Sequence, residues 1–260
     1  MKRSPTLLLA ALLLLRNVYS LQAQQPELLA FKTVIPELAQ SHQLIIVTTQ
    51  GWNDIPAIAR CVERSTLRSS WKEALEPYNA VVGKKGMAWG LGLQRCTPAK
   101  EEGIVKKEGD LRAPAGIFKL GEVFGYAPSE EAAFIKMPYR QLTASMEGID
   151  DIHSHYYNRI VDTTTLQDKD WTSSEAMLRS DDLYRWGIVI QHNWENVPGA
   201  GSCIFMHLWR GPNQGTAGCT ALAPKSMESI LHWLDAAKYP LLLQLPAAEY
   251  ERLKESWQLP

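Results

Sequence analysis

A histidine and a cysteine separated by a glycine-rich loop are the residues of this chain best suited to covalent chemistry. They are His207 and Cys219, within Ile204 to Ala223, which reads IFMHLWRGPNQGTAGCTALA. The run Cys203 to Leu208 predicts a buried strand whose end carries His207 toward a cleft, and Gly211-Pro212-Asn213-Gln214-Gly215 is turn chemistry that folds the chain back. Cys219 then arrives beside His207. A thiol needs such a partner, because the thiolate is the nucleophile and a free cysteine is mostly protonated near neutral pH. His207 is the candidate general base. The backbone amides of Gly218 and Cys219 are the candidate oxyanion donors, since a residue without Cβ allows close approach. Trp209, Arg210 and Thr216 flank the pair as candidate substrate contacts, with Arg210 suited to a carboxylate. His192 and Asn193 follow an apolar run; they line the cleft, orient His207, or simply end a strand.

The segment resembles the catalytic stretch of the L,D-transpeptidase (YkuD-like) family of bacterial peptidoglycan enzymes. In that family a histidine on one strand is followed by a loop and a [ST]-x-G-C motif; the matching residues are His207, Thr216, Gly218 and Cys219. The stretch Lys107 to Gly116 is similar to the family's K-x-E-G-D-x-R-x-P-x-G turn. Tyr184 to Asn193 is similar to the strand beside the site. Ala217, Leu208 and Ala221 stand where many members carry a second histidine, a glycine or serine, and a basic or amide residue. The motif A-G-C-T-A thus resembles a variant subgroup. The resemblance implies a β-sandwich or mixed-sheet fold with a long inserted excursion. It also implies attack of Cys219 on a stem-peptide carbonyl, release of D-alanine, and transfer of the acyl group to an amine. Hydrolysis of the same substrates, as an L,D-carboxypeptidase or amidase, and a non-catalytic wall-binding role are the alternatives. Acylation of Cys219 by carbapenems is a further implication.

Around these residues the chain reads as one mainly β domain with a few peripheral helices. A formal net charge of −1 without a long basic block gives no reason to expect nucleic acid as a partner. No C-x-x-C and no histidine pair at zinc spacing occurs, so neither metal nor cofactor is expected. Lys2, Arg3 and the apolar run Leu7 to Leu15 read as a secretory leader cleaved after Ala23, which places the protein in the periplasm or outside the cell. Residues 24–40 read as a linker, 41–246 as the catalytic domain and 247–260 as a tail with a short helix. Export permits disulfides, and Cys61 with Cys96 is the pairing to consider; Cys203 reads as a core thiol.

Strands are predicted over Gln43 to Thr49, Pro56 to Arg64, Val81 to Gly83, Gly116 to Leu120 and Leu241 to Leu245, and a sheet hairpin over Gly86 to Gly92. Residues 126–181 read as an excursion over the sheet, with short helices near Glu130 and Ser174. Met227, Ile230, Leu231 and Leu234 mark one face of a helix over Pro224 to Ala237.

Overall fold

Continuous apolar strands require cover on both faces, and the architecture supplies it. In the computed structural model, residues 35–94 and 104–260 are described. The strands are β1 (Gln43–Thr49), β2 (Pro56–Glu63), β3 (Lys72–Glu73), β4 (Tyr78–Val81), β5 (Met87–Trp89), β6 (Ala113–Gly125) and β7 (Tyr139–Gln141). They continue as β8 (Met146–Ile149), β9 (Ile160–Asp162), β10 (Ser174–Ala176), β11 (Trp186–Ile190), β12 (Phe205–Leu208), β13 (Thr220–Leu222) and β14 (Leu241–Pro246). The helices are α1 (Pro36–Gln40), α2 (Pro224–Trp233) and α3 (Ala247–Trp257).

The chain is mainly β, as expected, but the sheet closes. Its strands run β1-β14-β6-β11-β12-β13-β4-β2, and β2 pairs back onto β1 to complete a barrel of eight strands. An open mixed sheet or sandwich is therefore replaced by a closed one. Closure depends on β1 pairing with β2 on one side and with the distant β14 on the other, parallel, Leu44 opposite Leu241. In β1, Leu44, Ile45, Ile46 and Val47 are all buried, and they share one core with Met227, Ile230 and Leu231 of α2 and Leu253 and Trp257 of α3. A barrel of this size is filled by its own side chains.

Several local expectations are corrected. The linker ends in a helix, because Pro36 occupies the first turn, where its fixed φ suits the helix and its missing N–H is not needed. Arg64 holds the other end of that helix, donating to the carbonyls of Leu38, Ala39 and Ser41 at 2.8, 2.9 and 2.8 Å. The Gly86–Gly92 stretch is no hairpin: β5 pairs parallel with β6, Met87 opposite Ala113. No helix forms near Glu130, which lies in a turn, and Ser174 opens strand β10. There Ser174 pairs with Ile149 of β8, so tertiary pairing overrides local preference. The helix after the motif ends at Trp233, and Asp235 caps a separate turn, its Oδ1 accepting from Ala237 N–H at 2.9 Å. The excursion forms its own three-stranded sheet, β10-β8-β9. The expected leader, most of the linker and Cys96 lie outside the described residues, so the Cys61–Cys96 pairing does too; Cys61 is buried in β2. No described helix is long and apolar enough to cross a membrane.

Candidate active site

Strands β12 and β13 are parallel neighbours, with His207 opposite Ala221 and Met206 opposite Thr220. Cys219 precedes Ala221 by two residues, so the pleat puts its side chain on the same face as those of Ala221 and His207. His207, Cys219 and Ala221 accordingly line one cavity of about 220 Å³. The loop between the strands is pinned to residues 82–84: Thr216 N–H donates to Val82 O and Lys84 N–H to Thr216 O, both at 2.9 Å. Gly215 permits this approach, since a Cβ there would lie 2.7 Å from Lys84 Cα. The sequence expectation that the loop returns Cys219 to the face of His207 matches this geometry.

Both groups are nearly enclosed, His207 at 6% and Cys219 at 7% exposure. His207 Nδ1 lies 2.7 Å from Leu208 O, which makes Nδ1 the protonated nitrogen and leaves the Nε2 lone pair available. Its ring meets the edge of Tyr184 at 5.2 Å between centroids. Burial pushes the imidazole down to about 4, only partly opposed by the Leu208 carbonyl. Burial also pushes the Cys219 thiol up to about 12, and the charge of Glu175 adds to this. The Cys219 Sγ accepts from Phe205 N–H at 3.3 Å and donates to Cys203 O at 3.6 Å. The resting thiol thus points to a backbone carbonyl, and no hydrogen bond joins it to His207 among the described residues. The site holds a neutral thiol and a neutral imidazole, and catalytic contacts of this kind commonly tighten only when substrate arrives.

The remaining expected site residues divide. Thr216 lines the cavity and ties the turn, its Oγ1 donating to Cys219 O at 2.6 Å and accepting from Gly218 N–H at 3.1 Å. The Gly218 amide is therefore engaged, and of the expected oxyanion donors the Cys219 amide is the one to consider. Trp209 and Arg210 line the cavity rim. Arg210 is paired there with Asp181 at 2.6 Å, and Asp181 also receives Nε and Nη2 of Arg179 at 2.9 and 2.8 Å. His192 and Asn193 are not in the cleft, which corrects their expected role. His192 donates from Nε2 to Ala200 O at 2.9 Å and accepts Leu91 N–H at Nδ1. Asn193 holds Val197 O, Gly201 O and Val197 N–H at 2.9, 3.1 and 2.9 Å. Both shape the 191–201 loop. A polar residue after an apolar strand can serve a loop as well as a cleft.

The 107–116 turn proves to be a brace. Asp110 accepts from Lys106 Nζ at 2.6 Å and from the amides of Lys107 and Arg112 at 2.8 and 2.9 Å. Arg112 reaches Trp52 O, Met87 O and Asn53 Oδ1 at 3.2, 3.0 and 2.9 Å. Residues that sequence reasoning did not single out also line the cavity: Glu175, Arg179 and Tyr184. Glu175 comes from the excursion sheet, where only its acidity in a polar tract marked it. A larger groove of about 700 Å³ lies elsewhere, beside Glu122, Arg140 and Trp194, and contains neither Cys219 nor His207.

Burial of two neutral histidines has a consequence for stability. His192 and His207 both fall from 6.5 to about 4 on folding, so the unfolded chain binds more protons between those values. Their contribution is complete above pH 6.5 and is lost as pH falls toward 4, on the order of 3 kcal/mol each. Glu175 runs the opposite way, raised from 4.5 to about 7 by burial. Urea midpoints should therefore decline from pH 6.5 to 4, and Glu175→Gln should steepen that decline. A midpoint that holds steady across the range in both proteins would contradict neutral burial of the histidines.

No family model, curated protein or solved structure matches this chain.

Proposed function

We propose that the chain is an exported cysteine acyltransferase of L,D-transpeptidase type acting on peptidoglycan stem peptides. The observation that carries this reading is the placement of Cys219 and His207 on one face of adjacent parallel strands, enclosed in a single cavity with a charged rim. The motif resemblance supplies the substrate class. With a stem peptide in the cavity, His207 Nε2 takes the Cys219 proton and the thiolate attacks the carbonyl that precedes the terminal D-alanine. The Cys219 amide donates to the developing oxyanion. His207 then protonates the leaving nitrogen, the C–N bond breaks, and D-alanine departs. The thioester on Cys219 is resolved by an amine of a second stem, giving a cross-link.

The proton transfer is unfavourable in this enclosed site, where burial opposes both the thiolate and the imidazolium. Substrate must therefore supply part of the electrostatic complement, which guards the thiol against idle reaction. The same thiol should accept acylation by carbapenems.

The test incubates purified protein with tetrapeptide-stem muropeptides and identifies products by mass spectrometry. Dimers with D-alanine release, and a transient acyl mass on the Cys219 peptide, are expected. Release of D-alanine with monomers alone would instead indicate a carboxypeptidase, and an unchanged substrate pool would reject the reading.

A further inference from the structure

The excursion sheet places one carboxylate in the cavity for which the first half of the reaction has no use. Glu175 of β10 packs over Gly148 of β8, where an added Cβ would lie 3.2 Å from both Glu175 Cγ and Cys203 Sγ. The carbonyl of that same Cys203 receives the Cys219 thiol at 3.6 Å. Gly148 is thus the gap through which an acidic side chain from a separate sheet reaches the neighbourhood of the nucleophile. Glu175 and Cys219 line the same cavity.

The two carboxylate oxygens of Glu175 are not equivalent. Tyr184 OH donates to Oε2 at 2.8 Å, and Arg179 Nη1 lies 4.0 Å from that same oxygen. Arg179 spends its Nε and Nη2 on Asp181 instead. Oε1 has no donor among the described residues. A half-buried carboxylate with a spare oxygen, its side chain 28% exposed, is a poor neighbour for a thiolate, whose formation its charge opposes. It is a good neighbour for a cation, whose N–H groups could donate a charge-assisted hydrogen bond to the spare oxygen.

We propose that Glu175 is the acceptor subsite: it binds the ammonium group of the incoming amine and favours that amine over water at the thioester. The inference rests on the acyl-transfer reading given above. The acceptor enters as an ammonium ion and passes one proton to the Glu175 carboxylate. Its freed lone pair attacks the thioester carbonyl, the C–N bond forms and the C–S bond breaks. The second N–H proton passes through His207 to the departing Cys219 sulfur, and Glu175 returns its own to solvent. The groups that bear on this carboxylate come from every wall. They are Arg179 and Tyr184 beyond its own strand, Asp150 and Glu108 as like charges, Cys203, and Lys84, His207, Arg210 and Cys219 across the cavity.

Glu175→Gln tests the charge alone, because a glutamine oxygen still accepts from Tyr184 OH. Two quantities are read in full-length wild type and variant: D-alanine release in a single turnover, and the ratio of cross-linked to hydrolysed product. The acceptors are a tripeptide-stem muropeptide with a free side-chain ammonium and, separately, hydroxylamine, a nucleophile that is neutral at the assay pH. The variant should release D-alanine in the first turnover, lose at least about tenfold in cross-link ratio, and retain transfer to hydroxylamine. An unchanged ratio, or equal losses with the two acceptors, overturns the proposal, the second by revealing a purely structural role. Wild-type protein that acylates but never transfers to an amine overturns it as well. Absence of acylation in the wild type rejects the acyl-transfer reading itself, and this subsite with it.

Discussion

Cys219→Ala protein should release D-alanine from tetrapeptide stems at least about 10⁴-fold more slowly than wild type, a loss in keeping with removal of a nucleophile from a covalent mechanism. The neighbouring polar groups are poor replacements for it. His207 is held by its Leu208 contact as a base, and the Glu175 carboxylate is a far weaker nucleophile than a thiolate. Thr216 spends its hydroxyl on the Cys219 carbonyl and the Gly218 amide. The fold should survive, because the change leaves a small void and removes two weak sulfur contacts, to Phe205 N–H and Cys203 O. About 1–2 kcal/mol is the expected stability cost. Single-turnover release, read beside a thermal melt, separates loss of chemistry from loss of fold. Turnover within tenfold of wild type would mean that Cys219 is a structural thiol and that the chain acts on the wall, if at all, by other means.

Much of this arrangement was legible in the order of residues, for reasons that differ from element to element. The β1 strand and helix α2 declare themselves because their apolar spacing is dense and uninterrupted. Met227, Ile230, Leu231 and Leu234 are all fully buried, as their spacing predicts. The shared face of His207 and Cys219 was legible because a short strand, a glycine-rich return and a second short strand leave few ways to pair. Barrel closure was not, since it depends on β1 joining β2 and a segment near the other end of the chain. Pairing across such distances is set by the whole core, not by local pattern. Glu175 was missed for the same reason: what brings it to the cavity is the pairing of β10 with β8 and the absence of a side chain at Gly148. His192 shows the opposite failure. A histidine following a strand looks alike whether it faces a cleft or, as here, spends both ring nitrogens on a loop.

The base gives the second large effect, and its pH dependence separates two kinds of thiol enzyme. His207→Ala should slow acylation of Cys219 by about 10²- to 10⁴-fold at neutral pH. Burial sets the imidazole at about 4 and the thiol at about 12, so both stay neutral over the intervening range in the free protein. Wild-type kcat/KM should therefore change only modestly through neutral pH, as Glu175 titrates near 7, and fall steeply only as the pH approaches 4, where His207 gains its proton and can no longer accept one. The variant lacks that internal base and must rely on hydroxide. Its rate should climb about tenfold per pH unit, and its deficit should shrink as the solution becomes alkaline. A preformed thiolate–imidazolium pair would behave otherwise, with a bell whose limbs report two charged partners and rapid alkylation of the thiol in mildly acid solution. Iodoacetamide labelling of Cys219 across the same pH range distinguishes them without any muropeptide. Slow labelling that accelerates toward alkaline pH fits the neutral pair held apart by the Cys203 carbonyl. Fast labelling with an acid plateau would mean that burial does not govern this site, and that the proton has already moved to His207 before substrate binds.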